Sequence, residues 1–237
     1  MFSMLRAGLF ASALIAAAPV LAQSTAPAPE AAPPAATAPA TETAAPAALD
    51  GKALFRTKTC VACHGKDGAK AIQMYPDLAG QDAKYMLEQM NDIADGKRVS
   101  GPDARGYPRT QGMKDIMHLV NAEERAALAA YLASVPAPKP RPLDPAPDAA
   151  RLADGKKAYT QNGCQTCHGA DGLKPLATYP VIGGMKRDYL VLQLKEIRDG
   201  VRVNGKTKTM LAFAKKLDDA KIDLIADYLS QIERSPK

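Results

Sequence analysis

Two short sets of residues combine the types and spacing needed for chemistry. The order Cys-x-x-Cys-His stands at residues 60–64 and again at residues 164–168, and these sets use all 4 cysteines and two of the 3 histidines. This spacing is the attachment pattern of c-type haem, in which two thiols form thioethers and the adjacent imidazole can ligate the iron. It predicts two haem c groups, with His64 and His168 as iron ligands. The predicted attachment residues are Cys60, Cys63, Cys164 and Cys167.

Other chemistries of these cysteines fit the sequence less well. A structural zinc ion takes four protein ligands, whereas each set offers only two thiols and one imidazole. A redox-active thiol pair of the thioredoxin type is expected in a βαβ setting. The sequence shows no alternating strand pattern that would provide one.

The iron of a bound haem has one more axial position, and the ligand there decides its chemistry. A methionine thioether favours ferrous iron and closes the site to substrates, which suits electron transfer. Met113 and Met210 are the methionines that correspond to each other in the repeat described next. We predict them as the sixth ligands, each in a loop just before the last helix of its copy. Met117, one helical turn from Met113, is the competing candidate.

The chain repeats itself from residue 49 onward. Cys60 recurs 104 residues later as Cys164, whereas Met113 recurs 97 residues later as Met210, which places seven extra residues within residues 100–111. A repeat with one insertion indicates two homologous domains, residues 49–135 (copy one) and residues 148–237 (copy two). Residues 136–147 hold six prolines and are predicted to form a semi-rigid linker.

Each copy is predicted to be all-helical. Apolar residues recur at helical spacing between residues that favour helix starts and stops. Asn121 with Glu124 three residues later forms a capping-box pattern. The predicted helix starts are Asp50, Asp82 and Asn121 in copy one, and Asp154 and Asp218 in copy two.

Two prolines lie at matching distances behind the two histidines. Pro76 and Pro180 each stand 12 residues after the histidine of their copy. A histidine that ligates a metal usually donates its other ring N–H to a carbonyl or carboxylate, and a proline carbonyl on a stiff loop could accept that bond. The alternative is an ordinary turn proline.

The first 48 residues have no pattern of a folded domain. Residues 1–22 combine an early arginine, an apolar run and a small-residue cleavage site, which predicts a secretory signal peptide; an uncleaved anchor is the alternative. Residues 23–48 are almost only Ala, Pro, Thr and Glu and are predicted to be a disordered tether. Export predicts a periplasmic protein, with peripheral membrane association as a further option.

The charge is modest and uneven. The formal net charge is +6, of which +5 belongs to residues 148–237. There is no basic stripe interleaved with aromatic residues, which argues against nucleic acid as a partner. A basic segment before Met210 is either a docking face for an acidic partner or a solvated loop. Its residues are Arg198, Arg202, Lys206 and Lys208.

These motifs resemble the class I c-type cytochromes, in particular the dihaem cytochrome c4-like proteins. The resemblance rests on Cys-Val-Ala-Cys-His-Gly at residues 60–65, Tyr-Pro-Asp-Leu-Ala-Gly-Gln at 75–81, Asp-Gly-Lys-Arg at 95–98, and the matching parts of copy two. It departs from the family pattern at residues 182–185, Ile-Gly-Gly-Met in place of Leu-Ala-Gly-Gln, and in the insertion of copy one.

The resemblance implies an all-α fold of two tandem class I cytochrome c domains joined by the Pro-rich linker. In each domain the first and last helices should cross near Gly51 and Tyr131, or near Gly155 and Tyr228. It implies His/Met ligation at both irons and proline carbonyls bonded to the histidine rings.

The function so implied is electron transfer without catalysis. The expected partners are redox proteins: a terminal oxidase, a quinol-oxidising complex or a dehydrogenase. One alternative is the cytochrome subunit of a periplasmic dehydrogenase. Another is a dihaem peroxidase-like enzyme, which needs an open or displaceable sixth position, and the two methionines argue against it.

Overall fold

The computed structural model describes residues 49–72 and 74–234, which belong to one compact unit. The predicted signal peptide and tether lie outside the described residues. The described part contains ten α-helices, two short 3-10 turns and an isolated β-bridge between Pro102 and Pro108. The all-α prediction is confirmed. Within this part of the chain, no helix is both long and apolar enough to cross a membrane.

The two copies contain the same five helices in the same order, as their common sequence pattern predicts. In copy one these helices are α1 Gly51–Thr57, α2 Val61–His64, α3 Ala83–Ala94, α4 Gln111–Met117 and α5 Ala122–Ser134. In copy two they are α6 Ala149–Gln161, α7 Gln165–His168, α8 Arg187–Arg198, α9 Thr207–Ala214 and α10 Asp219–Ser230.

Half of the ten α-helices in the described part of the chain start at a residue whose side chain caps the helix. The Asp82 side chain accepts from the backbone N–H of Tyr85 at the start of α3. Asn121 and Glu124 form the predicted capping box at the start of α5. Each such cap stabilises a helix by about 1 kcal/mol, which is why these starts could be predicted from residue types alone.

The start of α6 was predicted wrongly. The helix begins at Ala149, not near Asp154, because the Asp148 carboxylate accepts from the backbone N–H of Arg151. The corresponding position of copy one is Ala44, which has no side-chain oxygen, and there the cap is Asp50. The two copies therefore open with first helices of different length.

The first and last helices of each copy cross at a glycine, as expected. A Cβ atom on Gly51 would lie 2.3 Å from the carbonyl oxygen of Ala127, and a Cβ atom on Gly155 would lie 2.3 Å from that of Leu224. Any side chain at these two positions would force the helices apart.

Each copy has its own apolar core, built around this crossing. In copy one Phe55 packs with residues of α3 and α5. In copy two Tyr159 takes the place of Phe55 and packs with residues of α8 and α10. The two clusters are separate, so each copy can position its own Cys-x-x-Cys-His motif.

The proline-rich segment lies against both copies. The Arg141 guanidinium binds the Asp77 carboxylate of copy one at 2.8 and 3.1 Å. The carbonyl oxygen of the same residue accepts from Gln231 of copy two at 3.1 Å. The segment therefore follows the junction between the copies.

Candidate haem sites

Each Cys-x-x-Cys-His motif forms a single helical turn. In copy one α2 follows Cys60 directly, and the N–H of His64 donates to the carbonyl oxygen of Cys60 at 3.0 Å. Residues three and four apart lie on the same side of such a turn, so both thiols and the imidazole of each motif share one side. The four cysteines are free thiols, and Cys63 is exposed whereas the other three are half-buried.

The glycine after each histidine is required by the backbone. Gly65 adopts a φ of +70°, and a Cβ atom there would lie 2.3 Å from the carbonyl oxygen of Lys70. Gly169 is held in the same way, 2.3 Å from the carbonyl oxygen of Lys174. The close approach fixes the loop that follows the motif and so helps to place Pro76 and Pro180.

Both histidine rings are buried and hydrogen-bonded to the predicted prolines. His64 Nδ1 lies 2.9 Å from the carbonyl oxygen of Pro76, and His168 Nδ1 lies 3.0 Å from that of Pro180. A carbonyl only accepts, so Nδ1 carries the proton and Nε2 keeps its lone pair free for a metal. Burial lowers the pKa of both imidazoles, which favours this neutral form. The prediction for the prolines is confirmed.

In copy two the predicted ligands border one cavity. Its empty volume is about 920 Å³, including space open to solvent. Cys164, His168 and Met210 line it together with apolar side chains that include Leu190 and Leu194. A thiol, an imidazole with a free Nε2 and a thioether around a large, mainly apolar space fit a covalently attached haem.

Copy one places the equivalent residues at the edge of its core. Cys60 and Met113 are partly buried and pack against the cluster that contains Met86 and Met90. Met117 is only 1% exposed and belongs to the interior of that cluster. Met113 and Met210 therefore hold corresponding, half-buried positions.

The two candidate methionines lie on helices and not in loops, so that part of the prediction was wrong. Met113 is in α4 and Met210 is in α9. Neither helix has a side-chain hydrogen bond at its N-cap. The sequence therefore carries no start signal for them, and they form because they pack against α3 and α8.

Sequence reasoning missed a buried polar junction between the copies. Arg98 of copy one donates to the Tyr189 hydroxyl of copy two at 2.8 Å. Arg202 of copy two, 5% exposed, donates to Gln89 of copy one at 2.8 Å. The sequence gives one indication of this junction: Arg98 and Arg202 are equivalent residues of the two copies, 104 residues apart.

This junction removes Arg202 from the predicted basic docking face, whereas Lys206 and Lys208 are exposed. Arg202 is internal, and it lines the copy-two cavity together with Tyr85 and Gln89 of copy one. Arg198 pairs with Asp199 and Asp219. These arginines serve the fold and do not form a free charged surface.

The insertion of copy one also contacts copy two. Arg109 donates to the Glu196 carboxylate at 2.5 Å, and the backbone N–H of Gly101 donates to the same carboxylate oxygen at 2.9 Å. Glu196 is 5% exposed, so the insertion supplies the partners that a buried carboxylate needs.

Fold and sites together define a c-type cytochrome with two haem sites. The sequence model of the Cytochrome c family matches residues 48–136 and 152–233. The chain belongs to this family, and the two Cys-x-x-Cys-His motifs give it two haem c groups.

The relatives narrow the group further. Cytochrome c4 of Azotobacter vinelandii is 36% identical over 182 residues, covering 73% of this chain and 84% of that protein. The crystal structure of reduced recombinant cytochrome c4 from Pseudomonas stutzeri is similar with a TM-score of 0.64 at 28% identity, covering 79% of this chain and 100% of that one. The thiosulfate dehydrogenase electron acceptor of Stutzerimonas stutzeri strain A1501 is 32% identical over 180 residues, covering 73% of this chain and 78% of that protein. The protein is thus a cytochrome c4-like dihaem electron carrier and not an enzyme.

Proposed function

We propose that this carrier works in the periplasm with two His/Met-ligated haems, taking electrons from one redox protein and delivering them to another. The ligand pairs are His64 with Met113 and His168 with Met210. The observation that carries the proposal is the copy-two cavity, because Cys164, His168 and Met210 line it together. The same residue types stand at equivalent places in copy one.

The residues of the chain divide the work of holding the cofactor. A bound haem c supplies a one-electron ferric/ferrous couple. The four thiols would anchor the haem covalently, and His64 and His168 would offer Nε2 from rings fixed by the proline carbonyls. The methionine sulfurs would supply the second protein ligand of each iron and keep out water and other ligands, which favours outer-sphere transfer over catalysis.

Burial supports Met113 over Met117 as the ligand of copy one. Met117 is 1% exposed inside the apolar cluster, where it fills the core. Met113 is half-buried at the edge of that cluster, as Met210 is in copy two. A side chain that faces a cofactor site keeps such partial exposure when the cofactor is not counted.

The relatives favour one particular kind of partner. A relative 32% identical is named a thiosulfate dehydrogenase electron acceptor. We infer that this chain too receives electrons from a redox enzyme outside the cytoplasm, free or as the cytochrome subunit of a periplasmic dehydrogenase. A terminal oxidase and a quinol-oxidising complex are the alternative partners. Peripheral association with the membrane would be compatible with each of these partners and with a dehydrogenase.

A redox titration followed by optical spectra tests the proposal on the haem-loaded protein. We expect two low-spin haems per chain, each with the weak sulfur-to-iron charge-transfer band of Met ligation. Subcellular fractionation should recover the protein in the periplasm. A high-spin fraction that reacts with peroxide would contradict the carrier function and favour a peroxidase.

A further inference from the structure

One side chain of copy one reaches the backbone beside the proximal histidine of copy two. Gln81 and Met185 occupy equivalent positions in the repeat, and both are buried, with exposures of 3% and 7%. Gln81 Nε2 lies 4.0 Å from Met185 Sδ. The two side chains therefore meet across the junction. Gln81 brings an amide oxygen, which is a strong acceptor, and Met185 brings a thioether.

The Gln81 amide is tied to Val181 by two hydrogen bonds. The backbone N–H of Val181 donates to Gln81 Oε1 at 2.8 Å, and Gln81 Nε2 donates to the Val181 carbonyl oxygen at 2.8 Å. The N–H of Asp82 also donates to Gln81 Oε1, at 2.9 Å. Two backbone donors on one side leave only this orientation of the amide, because the flipped form would set an NH₂ group against both of them.

The bond to Val181 continues to a haem ligand. The N–H of Val181 and the C=O of Pro180 belong to one peptide group, and that carbonyl accepts from His168 Nδ1 at 3.0 Å. A peptide whose N–H is bonded becomes a stronger acceptor at its C=O, since hydrogen bonds in a chain polarise one another. A stronger acceptor at Nδ1 makes the imidazole a more basic ligand.

Copy one lacks the equivalent link. Its matching peptide joins Pro76 to Asp77, and among the described residues no acceptor is found for the backbone N–H of Asp77. Met185, which stands where a partner equivalent to Gln81 would be, offers only a weak thioether acceptor. Both histidines thus donate to a proline carbonyl. Within the described residues, only in copy two does the N–H of the same peptide group have a hydrogen-bond acceptor, Gln81 Oε1.

We propose that Gln81 is a positioning residue that acts across the domain junction on His168. By accepting from Val181 it polarises the Pro180–Val181 peptide and strengthens His168 as a ligand. A more basic ligand stabilises ferric iron, so Gln81 lowers the potential of the copy-two site relative to the copy-one site. This inference rests on the proposed ligation by His168 and Met210.

The test is an NMR-monitored redox titration of the full-length, haem-loaded protein with Gln81→Met. The signals of the copy-two haem are assigned with Met210→His, which changes the spectrum of that site. At a fixed applied potential, we expect the ferric-to-ferrous ratio of copy two to fall about threefold, or about 28 mV for a one-electron couple. The copy-one site should not shift.

Two further variants separate this role from general loosening of the junction. Gln81→Glu keeps an oxygen for the Val181 N–H, so the copy-two potential should not rise. Gln231→Met, the control, removes another hydrogen-bonding amide that touches neither histidine–proline peptide and should leave both potentials in place. No shift in Gln81→Met, or an equal shift of both sites, would overturn the proposal.

Hydrogen exchange on the unchanged protein gives a readout that does not depend on any variant folding. The hydrogen-bonded Val181 amide should exchange about tenfold more slowly than the Asp77 amide. Equal rates would also overturn the proposal. Loss of the low-spin His/Met spectrum in the unchanged protein would instead contradict the proposed function, so the two failures are distinguishable.

Discussion

The histidine–proline pairs show how a single backbone atom can set the state of a ligand. Each proline carbonyl determines which ring nitrogen of its histidine carries the proton, and burial keeps the ring neutral. The proposed methionine ligands depend on much less specific contacts, since Met113 and Met210 only border apolar clusters. At the residue scale, the sixth ligand is therefore the part of each site that a substitution tests most directly.

Replacing Met113 with Ala should remove the sulfur ligand from one of two haems. We expect about half of the charge-transfer intensity to be lost and the potential of that site to fall, because thioether ligation raises it. Optical titration measures both changes. Met117→Leu is the matched control and should keep the full band. If the control lost intensity and Met113→Ala did not, Met117 would be the ligand and Met113 would not.

The helices position the sites through two contacts of different kinds. Capping residues such as Asp82 and Asn121 fix where helices start, and glycines at the crossings fix how closely α1 and α5, or α6 and α10, approach. The crossing is the more demanding contact, because backbone lies against backbone there and nothing can move aside. The packing of the first and last helices of each copy thus depends most on Gly51 and Gly155.

Gly155→Ala should destabilise copy two by about 1–3 kcal/mol, the usual cost of overpacking. The added Cβ atom would lie 2.3 Å from the Leu224 carbonyl oxygen and 2.6 Å from the Tyr228 Cβ atom. Urea unfolding of the haem-loaded protein measures the change.

Gly112→Ala in α4 is the control for this substitution. A Cβ atom there meets nothing within 4 Å, so alanine should be neutral or slightly stabilising. Equal losses in the two variants would show that the crossing is not the cause.

The molecule as a whole is organised by the polar junction between its copies. Arg98 and Arg202 each reach a side chain of the other copy, the insertion binds Glu196, and Arg141 of the linker segment binds Asp77. Charges that are buried with several partners act on orientation and stability and respond little to salt. The junction thus holds the two copies, and with them the two haem sites, together.

Arg202→Met should cost about 2–4 kcal/mol, because it removes a buried charged side chain and takes from the buried Asn204 Oδ1 the donor that it has in Arg202 Nε. The loss should be nearly the same at low and high ionic strength, as measured by urea unfolding. Lys208→Glu changes an exposed residue in the first turn of α9, so it should leave the stability within about 0.5 kcal/mol and alter only salt-dependent electron transfer to a charged partner. If the stability loss of Arg202→Met depended strongly on salt, Arg202 would be exposed and would belong to the docking face after all.

Taken alone, the sequence determined the features that depend on neighbours in the chain. The Cys-x-x-Cys-His motifs, the proline partners of the histidines and the capped helix starts at Asp50, Asp82 and Asn121 all follow from short spacings. The repeat follows from the same residue types recurring at a constant offset before and after the insertion of copy one. The cap at Asp148 is local in the same way, but the repeat predicts the helix start at Asp154, the equivalent of Asp50. The uncapped helices α4 and α9 had no local signal, so the surroundings of Met113 and Met210 could not be predicted.

Only the tertiary structure decided what the polar residues between the copies do. Gln81 meets Val181, Arg109 meets Glu196 and Arg202 meets Gln89 across 87 to 113 residues of chain. No local pattern encodes such pairs, because they form only when two finished domains dock in one orientation. Burial then changes the role of these residues. From the sequence alone Arg202 is expected to be a surface charge, but in the structure it is desolvated, hydrogen-bonded and part of the contact between the copies.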